Sequence, residues 1–140
     1  MKIKRIDTSR MDVLAQLVSL HHECFPSDEL PDFSIGWWWI AYDEQNAAIG
    51  FAGLYPSIQW DKTGYLCRAG VVESARGKGI QKALIKTRIR YARKLGYQWL
   101  VTDTRRNPAS SNSLIAHGFR LYEPLRPWGF KNSLYFRLKL

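Results

Sequence analysis

The chain has 140 residues, of which 46% are hydrophobic and 14% aromatic, and it carries a formal net charge of +9. This length and composition predict one globular domain over residues 1–140 and exclude a disordered or low-complexity chain. The basic charge favours an anionic ligand or a polyanion as the binding partner.

The first residues, Met1–Arg10, are charged and lack the apolar segment of a signal peptide. No apolar run in the sequence is long enough to cross a bilayer. The two cysteines, Cys24 and Cys67, have neither the spacing of a metal site nor that of a redox pair. We therefore expect a cytoplasmic protein without membrane contact and without a bound metal.

The first half of the chain predicts one helix followed by three strands. Apolar residues over Met11–His22 follow a helical period, and Phe25–Phe33 has the composition of a loop. Strands are predicted over Trp37–Tyr42, Ala48–Ile58 and Tyr65–Val72, with short polar turns between them. Short turns join antiparallel neighbours, so these strands should form a meander.

The second half predicts a strand–helix–strand unit followed by a further helix and two strands. The helix over Gly79–Leu95 has an apolar face and a basic face, and it leads to a strand over Trp99–Thr102. Another helix is predicted over Pro108–Ala116, and strands over Phe119–Tyr122 and Ser133–Leu140. The predicted fold class is α+β (mixed α/β), with a central mixed, mostly antiparallel sheet of about six to seven strands and helices on both faces.

A glycine-containing loop, Arg76–Gly79, lies between a predicted strand and a predicted helix. Glycines there allow successive N–H groups to turn toward one point, and the helix N-terminus adds partial positive charge, which favours a pyrophosphate. The loop does not fit the P-loop pattern G-x-x-x-x-G-K-[ST]. A dinucleotide fingerprint would need a third glycine where Lys82 stands.

The run Val72–Ile80, followed by Ala83-Leu84, resembles the acetyl-CoA-binding motif R/Q-x-x-G-x-G/A of the GNAT N-acetyltransferase superfamily. Arg76 and Gly79 match that motif, whereas Gln81 departs from the glycine or alanine that is usual in the family. A second segment, Asn107–Phe119, looks like the family's N-x(10)-G-F segment. The order of predicted elements along nearly the whole chain is also similar to that of GNAT enzymes.

The resemblance implies acetyl-CoA as the acyl donor, bound where the family's fourth and fifth strands separate, with its pyrophosphate on the amides of Arg76–Gln81. It implies that Ala69–Val72 pairs with the pantetheine arm, and that Lys78, Lys82, Arg105 and Arg106 are candidates for the 3′-phosphate. The expected cofactor-binding residues are Ala69, Gly70, Val71, Val72, Arg76, Gly77, Lys78, Gly79, Ile80, Gln81, Lys82 and Asn107.

The resemblance further implies an N-acetyltransferase that moves the acetyl group directly to a primary amine in a ternary complex. Such a transfer needs a neutral amine and a proton for the leaving thiolate. The family often takes its base from a glutamate of the fourth strand, but Tyr65–Val72 contains no carboxylate, and the family's usual tyrosine is Leu114 here. In place of a side-chain base, a water relay or an already neutral amine would also serve, and solvent could protonate the thiolate. The candidate catalytic residues are Glu73, Asp103, Ser113 and Tyr122, with Asp61 as a further carboxylate.

The acceptor is not identified by the sequence: a small amine, a peptide or protein amine, and aminoacyl-tRNA all remain open. Trp37, Trp60 and Trp128 are candidate substrate-binding residues, although packing in the core is the favoured interpretation of the run Trp37–Trp39. Other candidates on the loops are His21, His22, Asp28 and Glu29.

A nucleic-acid-binding domain without acetyltransferase activity is the alternative function. Residues 76–106 contain ten Lys and Arg residues and one acid, Asp103. Such a basic segment favours a nucleic acid or tRNA partner. The oligomeric state is expected to be a monomer or a homodimer, the latter formed through the C-terminal strands.

Overall fold

The computed structural model describes the whole chain, residues 1–140. It contains three α-helices, α1 Met11–Cys24, α2 Ile80–Lys94 and α3 Pro108–Ala116, and one 3-10 turn, Glu73–Ala75. The seven strands are β1 Lys2–Ile6, β2 Trp37–Tyr42, β3 Ala48–Pro56, β4 Thr63–Val71, β5 Trp99–Thr104, β6 Arg120–Tyr122 and β7 Leu134–Lys139.

The strands form one mixed sheet in the order β1-β2-β3-β4-β5-β7-β6. The pair β4–β5 is parallel and is connected through α2, as a parallel pair requires. The pairs β1–β2, β2–β3, β5–β7 and β6–β7 are antiparallel. The predicted α+β class with a mixed, mostly antiparallel sheet is confirmed. Strand β1 is an addition to the predicted elements.

Two compact units are distinguished by their internal contacts. The first unit comprises Met1–Tyr55 and Cys67–Leu84, and the second comprises Pro56–Leu66 and Ile85–Leu140. In the first unit, successive residues of β3 face opposite sides of the sheet. The ring of His21 in α1 lies 6.0 Å from that of Phe51. On the other side, a Cβ atom at Gly50 would lie 3.3 Å from Ile80 of α2. Helices therefore cover both faces of this part of the sheet.

The tryptophan run of β2 contributes to the core of the first unit. Trp38 and Trp39 are 1% and 3% exposed, which confirms the interpretation that they pack in the core. Trp38 packs edge-on against Phe33, with ring centroids 4.7 Å apart, and its indole N–H donates to the carbonyl of Ile35 at 3.0 Å. Trp37 is only half-buried.

His21 is a buried polar residue of the first unit. Its ring lies among aromatic rings, with Phe25 5.4 Å and Phe33 6.4 Å away between centroids. Its Nε2 atom is 3.5 Å from a guanidinium nitrogen of Arg68, which also donates to Asp28 at 2.6 Å. Burial, and then the charge of Arg68, lower the pKa of His21 below its ordinary value of 6.5. The imidazole is therefore neutral in the folded protein at neutral pH.

This histidine predicts a loss of stability on mild acidification. Because its pKa is lower in the folded chain than in the unfolded one, the unfolded chain binds the proton more readily. The contribution of His21 to the free energy of unfolding is present above about pH 6.5 and is lost as the pH falls through the pKa of the folded chain. The urea concentration at the midpoint of unfolding should be lower at pH 5.5 than at pH 7.5. In His21→Phe the difference between the two pH values should be smaller. An equal difference in the variant would assign the pH dependence to other groups.

The second unit has its own apolar core between helices and strands. It includes residues of α2, β5, α3 and β7 that are at most 7% exposed. These residues are Ile85, Ile89, Ala92, Leu100, Leu114 and Phe136. In this unit β4 pairs with β5 over Thr63–Tyr65, which stand opposite Trp99–Val101. The chain in this unit thus holds the beginning of β4 beside the beginning of β5.

Candidate active site

The loop that joins β4 to α2 contains the 3-10 turn and then two glycines with positive φ angles. Gly77 has φ 78° and Gly79 has φ 80°, and a Cβ atom added at either would meet no atom within 4 Å. Space is therefore available for a side chain at both positions. The glycines are needed because the backbone is left-handed there, a conformation that costs other residues free energy.

The N-terminus of α2 follows this loop directly. The first main-chain bond of the helix runs from Ala83 N to Gly79 O and measures 3.0 Å. The N–H groups of Ile80, Gln81 and Lys82 come before that bond and have no acceptor one turn back in the helix. The first turn has no acidic residue, so its partial positive charge is not neutralised locally. Such an arrangement can bind a phosphate or pyrophosphate.

Basic side chains surround the same loop. The Nε atom of Arg76 donates to the carbonyl of Val71 at 3.2 Å, which ties the guanidinium to the end of β4. Lys78 and Lys82 are exposed and take part in none of the chain's three ion pairs. Both lysines in this unit are therefore free to bind an anion.

The end of β4 offers main-chain groups along one edge. Val72 N donates to Ile49 O at 3.0 Å, so the N–H of Val72 points toward β3. Since the peptide groups of successive strand residues point to alternate edges, those of Ala69 and Val71 point away from β3. A Cβ atom at Gly70 would come within 2.9 Å of a side-chain atom of α1. Among the residues predicted to pair with pantetheine, Ala69 and Val71 are therefore those whose peptide groups lie on the edge away from β3.

A groove of about 510 Å³ lies beside the loop in the first unit. Glu23 and Cys24 line it from α1, and Glu73, Ser74 and Arg76 line it from the loop. Burial raises the pKa of the Cys24 thiol, so this thiol is protonated at neutral pH. The structure places Glu73, one of the predicted catalytic candidates, in the 3-10 turn between β4 and α2.

The second unit brings Asp103, at the end of β5, together with two hydroxyl groups. Tyr65 Oη donates to Asp103 Oδ1 at 2.9 Å, and Ser133 Oγ donates to Oδ2 at 3.3 Å. A Cβ atom at Gly129 would lie 2.7 Å from Oδ2, so the absence of a side chain lets this loop approach the carboxylate. A carboxylate has about four acceptor positions, which leaves Asp103 able to accept a further donor.

An aromatic cluster adjoins Asp103. In the strand register, Asp103 stands opposite Tyr135, and Tyr135 stands opposite Tyr122, so the three side chains share one face of the sheet. The ring of Trp128 lies 4.5 Å from that of Tyr135 and 5.5 Å from that of Trp60, between centroids. The structure thus brings together four of the predicted site residues: Asp103, Tyr122, Trp60 and Trp128.

The same face of the second unit carries a groove of about 1070 Å³. Trp99, Tyr122 and Arg137 line it from the strands. Burial raises the pKa of Tyr122, so its hydroxyl keeps its proton at neutral pH. Turn and loop residues that line the groove include Trp60, Asp61, Glu123 and Arg126.

Asn107 and Ser113 have local structural contacts in and around α3. Asn107 is the N-cap residue, and its Oδ1 atom accepts a hydrogen bond from Ser110 N at 3.2 Å. The carbonyl of Ser113 accepts from His117 Nδ1 at 2.7 Å, and His117 is the C-cap residue, as its position before Gly118 predicts. These contacts stabilise the two ends of the helix.

Three other positions that the resemblance singles out lie in the second unit. Leu114, at the family's tyrosine position, is 7% exposed and supplies no hydroxyl. Arg105 and Arg106, the predicted ligands of the 3′-phosphate, belong to the second unit. The guanidinium of Arg105 lies 3.6 Å from the centre of the Phe130 ring.

Three residues of this face of the second unit were not among the predicted ones: Tyr65 and Ser133, which donate to Asp103, and Arg137, which lies against aromatic rings. Alternation along β7 places Arg137 on the same face as Tyr135, and this signal is readable in the sequence. The contact of Tyr65 with Asp103 depends on the register of two strands that are distant in sequence, so no local pattern predicts it.

None of the three helices is both long and apolar enough to cross a membrane. The chain also has no group of three or more His, Cys, Asp or Glu residues placed to hold a metal ion.

Solved structures with the same fold include acetyltransferases from several bacteria. An IAA acetyltransferase from Bacillus cereus has a TM-score of 0.79 at 19% identity, covering 99% of both chains. A GNAT family acetyltransferase from Elizabethkingia anophelis with acetyl-CoA bound has a TM-score of 0.75 at 23% identity, covering 99% of this chain and 97% of the other. A ribosomal-protein-alanine N-acetyltransferase from Brucella melitensis has a TM-score of 0.76 at 19% identity, covering all of both chains.

No curated protein matches the sequence. The model of the acetyltransferase (GNAT) family matches residues 11–119, which is more than half of the chain. With a seven-stranded mixed sheet and a left-handed glycine loop before α2, the chain belongs to the GNAT family of acetyltransferases.

Proposed function

We propose that this protein transfers the acetyl group of acetyl-CoA to a primary amine by direct transfer in a ternary complex. The observation that carries the proposal is the pair of left-handed glycines, Gly77 and Gly79, followed by the open amides of the α2 N-terminus. This backbone geometry suits the pyrophosphate of the cofactor.

In this proposal the pyrophosphate accepts hydrogen bonds from the amides between Arg76 and Gln81. The edge of β4 at Ala69 and at the N–H of Val71 pairs with the amide groups of the pantetheine arm, as an added strand would, while the Val71 carbonyl accepts from Arg76. Lys78 and Lys82, which form no ion pair, provide positive charge for the phosphates. Acetyl-CoA supplies the acyl group as a thioester, and the protein holds it mainly through the main chain.

We assign Asp103 the role of general base. The amine nitrogen attacks the thioester carbonyl carbon, its proton passes to the Asp103 carboxylate, and the C–S bond breaks to release the thiolate of CoA. Tyr65 and Ser133 hold the carboxylate in place through their hydroxyl groups. Of the three carboxylates named above, Glu73 lies in the loop assigned to the phosphates and Asp61 lies in the turn before β4. Asp103 is the one that two hydroxyl groups hold in place, and we therefore assign the proton to it.

The leaving thiolate takes its proton from solvent in this proposal. Burial raises the pKa of Tyr122 above its ordinary value of 10.0, so this phenol is a weak acid toward a thiolate. A free thiol has a pKa of about 8.5, and water can therefore protonate a good part of the product at neutral pH. The buried Leu114 cannot donate a proton.

A small amine or the amine of a peptide is the proposed acceptor. The name of the Brucella melitensis protein, ribosomal-protein-alanine N-acetyltransferase, supports a peptide amine as one candidate. The groove of about 1070 Å³ in the second unit has room for such a ligand.

Calorimetric titration with acetyl-CoA tests the cofactor assignment. We expect micromolar binding, with weaker binding of a CoA that lacks the 3′-phosphate, because basic residues would lose an anionic partner. Absence of binding to both would overturn the proposal. Strong, salt-dependent binding to an RNA or DNA oligonucleotide in that case would point to a nucleic-acid-binding domain instead.

A further inference from the structure

Arg137 lines the groove of the second unit, with its guanidinium beside two aromatic rings. It belongs to β7, and it stands opposite Val101 on one side and Arg120 on the other. Its guanidinium carbon lies 4.7 Å from the ring centre of Tyr122 and 5.6 Å from that of Trp99. The two aromatic rings therefore hold a cation at the groove surface.

The donors of Arg137 are not used within the protein. No carboxylate lies within 4 Å of its side chain, since the three ion pairs of the chain involve other residues. Contact with aromatic rings uses the face of a guanidinium and leaves its in-plane N–H groups free. A planar fork of N–H donors matches the two oxygens of a carboxylate or phosphate.

The other charged residues of the groove carry both signs. Arg126 lines it together with two carboxylates, Asp61 and Glu123, and none of these three side chains takes part in an ion pair. A ligand with positive charge alone, such as a polyamine, would leave the two arginines facing like charge. The complementary ligand carries an ammonium group and an oxyanion.

The remaining lining is suited to an apolar part of the ligand. Trp60 is 42% exposed, and it borders the same groove as Tyr122 and Trp99. Aromatic rings that line a groove beside an arginine favour a ligand with a planar or apolar portion as well as charge.

We propose that the acceptor of this enzyme is a zwitterion, a primary amine that also carries a carboxylate or a phosphate, and that Arg137 binds this anionic group. The inference rests on the proposed acetyl transfer only in so far as the zwitterion is called an acceptor. The binding of such a molecule to the groove is a separate property and can be measured without any reaction.

The test uses two matched pairs of amines as probes. L-Tryptophan and L-tryptophan amide differ in the carboxylate, and O-phosphoethanolamine and ethanolamine differ in the phosphate. Each probe is titrated calorimetrically into the full chain, with CoA present and absent. We expect the member that carries the carboxylate or phosphate, in at least one pair, to bind about tenfold or more tightly than the partner that lacks it. The pair that shows the difference identifies the oxyanion.

Two variants then locate the binding site. Arg137→Gln should remove the difference within the pair, while Arg93→Gln, which changes an exposed cation of α2, should retain it. Equal affinities within both pairs, no binding of any probe, or a difference that persists in Arg137→Gln would each overturn the inference. Failure of the acetyltransferase proposal would appear separately, as loss of acetyl-CoA binding or of acetyl transfer while the probes still bind.

Discussion

Replacement of Gly79 with alanine should weaken acetyl-CoA binding about tenfold. The φ angle of 80° at this residue costs an L-amino acid about 1–2 kcal/mol, and the chain can relieve that cost by turning the peptide group. The N–H groups at the start of α2 would then no longer point toward one site, and a loss of about 1.4 kcal/mol in binding is a tenfold change. Calorimetric titration with acetyl-CoA measures the effect.

Gly96 provides a matched control for this substitution. It has a φ angle of 82°, it follows the end of α2, and a Cβ atom there would also meet nothing within 4 Å. Gly96→Ala should therefore lower the free energy of unfolding by about as much as Gly79→Ala, roughly 1 kcal/mol, while its affinity for acetyl-CoA stays unchanged. Equal affinities in the two variants would show that the loop before α2 does not bind the cofactor.

The second large effect concerns the proposed general base. Asp103→Asn should lower kcat by about 100-fold or more near neutral pH, because an amide cannot accept the proton of the attacking amine. The Kd for acetyl-CoA should stay the same. The loss should shrink as the pH rises toward the pKa of the acceptor amine, which is about 8 for an α-amine and about 10.4 for a lysine. More of the amine is then neutral in solution, and water or hydroxide can take its proton in place of Asp103. Steady-state rates between pH 6.5 and pH 9.5 measure both effects.

Ser133→Ala is the control for Asp103→Asn. It removes the longer of the two hydroxyl contacts of the carboxylate, at 3.3 Å, and leaves the 2.9 Å contact from Tyr65 in place. Its kcat should fall only a few-fold. If Asp103→Asn lowers kcat no more than Ser133→Ala does, the proton goes to another group or directly to water.

The sequence predicts most elements of this fold because their patterns are local. The helical period of Met11–His22 and the apolar and basic faces of Gly79–Leu95 lie close to the observed α1 and α2. Strand β1 escapes prediction because it is short, mostly exposed and rich in charge, with the sequence KIKRI. Its antiparallel pairing with β2 stabilises a strand that its composition does not indicate.

The glycine loop is also predictable, since a few adjacent residues define it. The cluster at Asp103 is not, because its members come from β4, β5 and the loop before β7. Their contacts depend on strand register, which is set by the packing of the whole sheet. Asp103 and Tyr122 are separate candidates in the sequence, and no local pattern places Tyr135 between them, as the strand register does.

A cofactor held by the main chain has a consequence for the divergence of sequences. An amide N–H is present in every residue except proline, so most side chains of such a loop can change without loss of the contact. The left-handed glycines are the positions at which substitution is costly. Gln81, where the family usually has glycine or alanine, is a substitution that a contact through the peptide group permits.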